Sequence, residues 1–180
     1  MATIYGGPGN NSLVGDNDTN FNDIIYGGGG SDTLRGFTAN DILYGGSSSD
    51  LIDGGLGNDT LYGGSGDDNL IGGDGFDFAS YLGFGSSVTV NLGTSSATGD
   101  GSDVLSGIEG VIGGTNADTI TGDSLGNNLQ GEGGSDLISG AVGLDSLYGG
   151  AGLDILYGGA DADILFGGAG NDTLQALAGD

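Results

Sequence analysis

Aspartate is the residue of this chain best suited to chemistry, and it recurs on a fixed beat. An acid stands at every ninth position from Asp23 through Asp32, Asp41, Asp50, Asp59 and Asp68 to Asp77. The beat resumes with Asp118, Asp136, Asp145, Asp154, Asp163 and Asp172, while Asn11 and Asn127 hold the same place without the charge. Carboxylates in such numbers are hard oxygen donors, the kind that divalent cations such as calcium prefer. Neutralisation from within is impossible, because 25 acidic residues face one basic residue, Arg35, giving a net charge of −24 over 180 residues. Nucleic acid and anionic membrane are therefore poor partners, and a metal cation is the natural one. Cysteine and histidine are both absent, which excludes disulfides, thiolate sites and, in effect, zinc. With no lysine either, the usual residues for a nucleophile–base pair or oxyanion site are missing, and carboxylate-only chemistry, though open, has no distinct pair; no catalytic residue is assigned and the chain is not read as an enzyme.

The elements that must position these acids follow from the same beat. From Gly27 the chain reads "GGGGSDTLR", "GFTANDILY", "GGSSSDLID", "GGLGNDTLY", "GGSGDDNLI" and "GGDGFDFAS". From Gly113 it reads "GGTNADTIT", "GDSLGNNLQ", "GEGGSDLIS", "GAVGLDSLY", "GGAGLDILY", "GGADADILF" and "GGAGNDTLQ". Ahead of these stand "GGPGNNSLV" and a longer unit, Gly15 to Tyr26, that ends in step. The acid is sixth in each unit, and the eighth residue is aliphatic: Leu34, Leu43, Ile52, Leu61, Leu70, Ile120, Ile138, Leu147, Leu156, Leu165 and Leu174, with Ala79 the small exception. One inward residue flanked by mixed neighbours describes a very short strand, and the six residues before it a tight turn. Glycine at the second and fourth turn positions allows backbone angles that other residues resist. A lone aliphatic residue cannot make a core, so the units must stack; if successive strands alternate between two facing parallel sheets, one coil takes two units and residues 18 apart become neighbours. The 36% hydrophobic content, regularly placed, argues for such a folded core over an acidic disordered chain.

Thirteen units in phase, each a variant of Gly-Gly-x-Gly-x-Asp-x-aliphatic-x, resemble the repeats-in-toxin (RTX), hemolysin-type calcium-binding family. The resemblance implies an all-β fold, a right-handed parallel β-roll with 18 residues per coil and calcium ions between stacked turns. It also implies that each calcium is held by sixth-position carboxylates and by backbone carbonyls of both turns. Carried onto this chain, the carboxylate pairs are Asp23/Asp41, Asp32/Asp50, Asp41/Asp59, Asp50/Asp68 and Asp59/Asp77, then Asp118/Asp136, Asp136/Asp154, Asp145/Asp163 and Asp154/Asp172. Two ladders of metal would line the two edges. Asn127/Asp145 lacks one charge and is expected to bind more weakly, as is the "GGPGNNSLV" turn. The turns "GFTAND", "GGADAD", "GDSLGN" and "GEGGSD" depart from the glycine pattern, and their sites are expected to be less secure.

Electrostatics gives the metal reading support of its own. Strands in one sheet lie about 4.8 Å apart, where like charges repel by roughly 1–3 kcal/mol. Nine such pairs would cost roughly 10–25 kcal/mol, against a domain stability of about 5–15 kcal/mol. Folding and metal binding are therefore expected to be one event, the metal-free chain being expanded.

Residues 81–112 break the beat: "SVTVNL" alternates like a strand and "DVLSGIEGVI" holds inward-capable aliphatics, so one or two wider coils with a Gly/Ser-rich loop are expected. No spacing fixes Asp100, Asp103 or Glu109 as ligands. One domain over 1–180 is expected, with repeats over 6–80 and 113–175. On the outer face Tyr26, Tyr44 and Tyr62 are 18 apart, a stripe suited to stacking within the sheet or to self-association. Arg35 falls opposite Asp53 as a surface pair of little consequence.

The function that follows is a calcium-binding structural module of a secreted or cell-surface protein. It would assist secretion, be unfolded in a low-calcium cytosol and fold at the millimolar calcium found outside. The N-terminal "MATIYGGPGNNSL" has neither the basic nor the apolar part of a Sec-type signal. The resemblance implies type I secretion through a segment beyond the repeats; "TLQALAGD" leaves almost nothing there, as expected of a fragment of a longer protein or of a chain exported otherwise. Two other readings are an adhesive or surface-layer solenoid that binds a glycan, ice or a partner protein, and a non-catalytic module of a secreted lipase, protease or alginate epimerase. For the first, the outward Thr33, Thr60, Thr119 and Thr173 are too scattered to form a regular array.

Overall fold

The computed structural model describes residues 1–16 and 21–176; the centre of the Gly15 to Tyr26 unit and the last four residues of "TLQALAGD" lie outside the described residues. Among the described residues, apart from one 3-10 turn at Leu92–Thr94, every regular element is a strand. In chain order these are β1 (Thr3–Tyr5), β2 (Ser12–Val14), β3 (Ile24–Gly29), β4 (Thr33–Thr38), β5 (Ile42–Ser47), β6 (Leu51–Leu56), β7 (Thr60–Ser65), β8 (Asn69–Asp74), β9 (Phe78–Ser80) and β10 (Thr89–Asn91). They continue with β11 (Ser96–Thr98), β12 (Ser102–Ser106), β13 (Gly110–Ile112), β14 (Thr119–Thr121), β15 (Asn128–Gln130), β16 (Leu137–Val142), β17 (Ser146–Gly152), β18 (Ile155–Ala160), β19 (Ile164–Gly170) and β20 (Thr173–Gln175).

By contacts the chain forms two compact units, Met1–Ser80 with Asp100–Ile108, and Tyr81–Gly99 with Glu109–Asp180. In the first, β1, β3, β5, β7 and β9 form one parallel array and β2, β4, β6, β8 and β12 the other. In the second, β13, β15, β17 and β19 lie in one array and β11, β10, β14, β16, β18 and β20 in the other. Successive strands thus alternate between two sheets, and partners are 18 residues apart, as in Leu43 with Leu61 and Leu129 with Leu147. Each unit is a parallel two-sheet β-solenoid with 18 residues per coil.

The eighth positions make the core as their spacing predicts. Ile25, Leu34, Leu43, Ile52, Leu61, Leu70 and Ala79 are fully buried, as are Ile120, Leu129, Ile138, Leu147 and Leu156. The pattern fades at Leu165, which is half-buried, and at Leu174, 45% exposed, where fewer described coils lie over the side chain.

Half of the described strands are twice as long as the sequence pattern predicts, because turn backbones also pair from coil to coil: Gly28 and Gly29 align with Gly46 and Ser47. Left-handed φ at the second and fourth turn residues makes this possible, as at Gly55 (109°) and Gly57 (127°). A Cβ on Gly57 would sit 1.9 Å from the Ala39 carbonyl oxygen, so the stack admits no side chain there. Phe37, Ala39, Ser48, Glu132, Ala141 and Asp161 nonetheless adopt the same left-handed φ, at about 1–2 kcal/mol each.

Within 81–112, Val88, Val90 and Leu92 of "SVTVNL" point inward, as do Leu105, Ile108 and Val111 of "DVLSGIEGVI". The departure is an antiparallel pair, β10 with β11, that sets Val90 against Ala97. Sequence periodicity carries no signal for this hairpin, whose second strand is the polar "SAT".

Candidate metal centre

The sixth-position acids are not solvated turn residues. Asp23, Asp32, Asp41, Asp50, Asp59, Asp68, Asp77, Asp118, Asp136, Asp145 and Asp154 are all buried, from 0% exposure at Asp59 to 4% at Asp50, and Asn127 is buried with them. Asp163 and Asp172 are half-buried. Burying a carboxylate is expensive unless something compensates the charge.

One oxygen of each acid is compensated by the ladder. The Asp23 backbone N–H donates to Oδ1 of Asp41 at 2.6 Å, Asp32 to Asp50 at 2.7 Å, Asp41 to Asp59 at 2.7 Å, Asp50 to Asp68 at 2.8 Å and Asp59 to Asp77 at 2.7 Å. In the second unit Asp118 donates to Asp136 (2.8 Å), Asn127 to Asp145 (2.8 Å), Asp136 to Asp154 (2.9 Å), Asp145 to Asp163 (3.0 Å) and Asp154 to Asp172 (3.1 Å). All the pairs derived from the 18-residue stacking are therefore brought together. They meet backbone to carboxylate, a bond that sequence spacing alone does not reveal.

The other oxygen is left over. Oδ2 of Asp32, Asp41, Asp50, Asp59, Asp68, Asp136, Asp145 and Asp154 is buried with no hydrogen-bond partner in the protein. Each points at the first glycine of its own turn: a Cβ on Gly54 would lie 2.3 Å from Asp59 Oδ2 and 2.7 Å from the Gly72 carbonyl oxygen. On Gly131 the corresponding distances are 2.2 Å to Asp136 Oδ2 and 2.7 Å to the Gly149 carbonyl oxygen. The first glycine thus keeps open a cradle where a carboxylate and a carbonyl of the next coil converge. Oxygen-only donors of this kind suit calcium. Among the described residues no three acids cluster as a side-chain-only metal site, so carbonyls would supply the remaining ligands.

Burial shifts these acids in the direction that marks uncompensated charge. Removal from water pushes Asp59 and Asp68 up to about 7, and Asp50, Asp136 and Asp145 up to about 6, with neighbouring acids adding to the rise and backbone N–H groups opposing it. Asp41 and Asp118 are raised for the same leading reason.

Two features lie beyond the sequence reading. Asp103 extends the ladder, accepting the Asp68 N–H on Oδ1 at 3.0 Å across 35 residues. Its context, "TGDGSDVLS", is a repeat with threonine in the first place, and that pattern could have found it. Asp100 is exposed, and Glu109 aligns with Asn127 one coil away. A second ladder runs along the fifth positions: Asn40 N–H donates to Asn22 Oδ1, Asn58 to Asn40 and Phe76 to Asn58.

On the outer face, Tyr5, Tyr26, Tyr44 and Tyr62 stack with ring centroids 5.1, 4.8 and 4.4 Å apart. Arg35 meets Asp53 at 3.8 Å, half in solvent.

Fold and site together define a β-solenoid whose stacked glycine turns carry ladders of buried acid. A family model, the RTX calcium-binding nonapeptide repeat, matches residues 3–21, 18–52, 44–79, 112–147, 121–156 and 142–174, well over half of the chain. The chain belongs to this family. No curated protein matches it.

Proposed function

We propose that the chain is a calcium-loaded structural module of a secreted or cell-surface protein, folding as the metal binds and assisting export. The observation that carries this reading is the row of buried Oδ2 atoms with no partner, from Asp32 to Asp68 and from Asp136 to Asp154, all but that of Asp68 beside a carbonyl of the next coil. In this reading Asp32, Asp41, Asp50, Asp59, Asp68, Asp77, Asp136, Asp145, Asp154, Asp163 and Asp172 contribute carboxylate oxygens. Bound calcium supplies the positive charge that Arg35 alone cannot. Residues 1–180 would act as one domain.

A catalytic role finds no support. The open groove of about 570 Å³ lined by Leu92, Gly93, Ser95, Gly122, Asp123, Ser124 and Ala141 offers one carboxylate, and its Oδ1 already accepts the Leu125 N–H. An ice-facing array is equally unsupported, since Thr33 aligns with Ser12 and Leu51, and Thr60 with Ile42 and Phe78.

Isothermal titration calorimetry of the chelator-stripped chain with calcium tests the reading. Saturable binding of several calcium ions in the micromolar to millimolar range is expected; a chain that takes up none would overturn it.

A further inference from the structure

Three turns differ from the rest in how they treat their acid. Asp118 accepts the Val88 N–H on Oδ1 at 2.8 Å and the Gly114 N–H on Oδ2 at 2.7 Å. Asp23 accepts the Ala2 N–H on Oδ1 at 2.5 Å and the Asp16 N–H on Oδ2 at 2.8 Å. Asn127 accepts the Asp123 N–H on Oδ1 at 2.8 Å and donates its amide to the Glu109 carbonyl at 3.3 Å. The added donor is the same in every case: the backbone N–H of the turn's second residue, Asp16, Gly114 or Asp123.

None of those three residues has left-handed φ, whereas the second residue of each turn with a partnerless Oδ2 does, whether it is Gly55 (109°) before Asp59 or Glu132 (71°) before Asp136. The φ of one residue therefore sorts the turns. Left-handed, it leaves a buried oxygen without a donor. In these three turns its N–H folds inward and donates to the sixth residue from within the turn, and such hydrogen bonds offset part of the cost of burying the group.

We infer that this second residue decides which turns take metal, and that the turns ending in Asp118 and Asn127 are metal-free caps. This rests on the calcium reading and refines it. Sequence spacing treats Asp118 as a strong member of one ladder and Asn127 as a weak member of the other. Turn geometry places both outside the ladders. The carboxylate at Asn127 is then not what that turn lacks; its backbone is closed.

The test counts calcium per chain by native mass spectrometry, with circular dichroism in saturating calcium to verify folding. Asn127→Asp restores the acid but not the open backbone, and the count is expected to stay at the wild-type value. Combining it with Asp123→Gly and Leu125→Gly, which turns "GDSLGN" into "GGSGGD", is expected to add one calcium. Asp136→Asn, in an open turn, is expected to remove at least one, which verifies that the count responds to a single ligand. An extra calcium on Asn127→Asp alone, or none on the folded triple variant, would overturn the inference. A wild-type chain that binds no calcium would instead overturn the reading beneath it.

Discussion

The turns Gly54–Asp59 and Gly113–Asp118 both open on Gly-Gly and close on aspartate, yet they handle the acid in opposite ways. In the first, Gly55 and Gly57 are left-handed, the strand β6 extends into the turn, and Asp59 keeps a buried oxygen with no partner. In the second, Gly114 and Asn116 are not left-handed, β13 stops at Ile112, and both carboxylate oxygens of Asp118 accept N–H groups. An identical acid is a demand for metal in one place and a satisfied cap in the other. The path of the backbone at the second residue makes the difference.

Alanine at the second glycine should break that comparison most sharply. A Cβ on Gly55 would sit 2.4 Å from the Phe37 carbonyl oxygen at a φ of 109°, whereas a Cβ on Gly114 meets nothing closer than 3.5 Å. Gly55→Ala is expected to lower the stability of the calcium-loaded chain by about 2–4 kcal/mol, and Gly114→Ala by less than about 0.5 kcal/mol. Urea melts of the two variants in calcium measure this. Equal losses would show that the turns are built alike.

Acid should sharpen the same comparison in the absence of metal. Asp50, Asp59, Asp68, Asp136 and Asp145 titrate at about 6 to 7 in the fold, above the ordinary 3.8 of an unfolded chain. Between pH 4 and 7 the folded state therefore binds more protons than the unfolded one, and stability falls as pH rises through that window. In chelator, β structure is expected to grow as pH is lowered from 7.5 towards 4.5. Calcium reverses the trend, because protons compete for the same oxygens. Circular dichroism against pH, with and without calcium, distinguishes the two slopes.

Much of this was legible in the nine-residue beat. The eighth residue predicted the core, the 18-residue coil predicted the pairing of Asp41 with Asp59, and the aligned tyrosines predicted a stack. What escaped was whatever depends on backbone direction rather than residue type. That Asp59 receives an N–H from Asp41 on one oxygen and nothing on the other is a matter of which way an amide points. The role of the first glycine was hidden because its neighbour in space is the acid five residues on. Asp103 was missed because threonine opens its repeat and the partner is 35 residues away instead of 18. Val88, in the ladder place one coil before Asp118, has no carboxylate to announce it.

The outer face should matter least. Tyr44 lies between Tyr26 and Tyr62 with its ring parallel to the first, and Tyr44→Ala is expected to cost about 0.5–1.5 kcal/mol of the loaded chain's stability without changing calcium uptake. A loss of calcium sites in this variant would tie the stripe to the turns.

The most direct test of the coupling between metal and fold is far-UV circular dichroism of the full chain at pH 7.5 in excess chelator, followed by calcium addition. The β signal is expected to be absent at first and to appear cooperatively as calcium is added. A full β signal in chelator, unchanged by calcium, would contradict the idea that the buried carboxylates need a cation to stay in place.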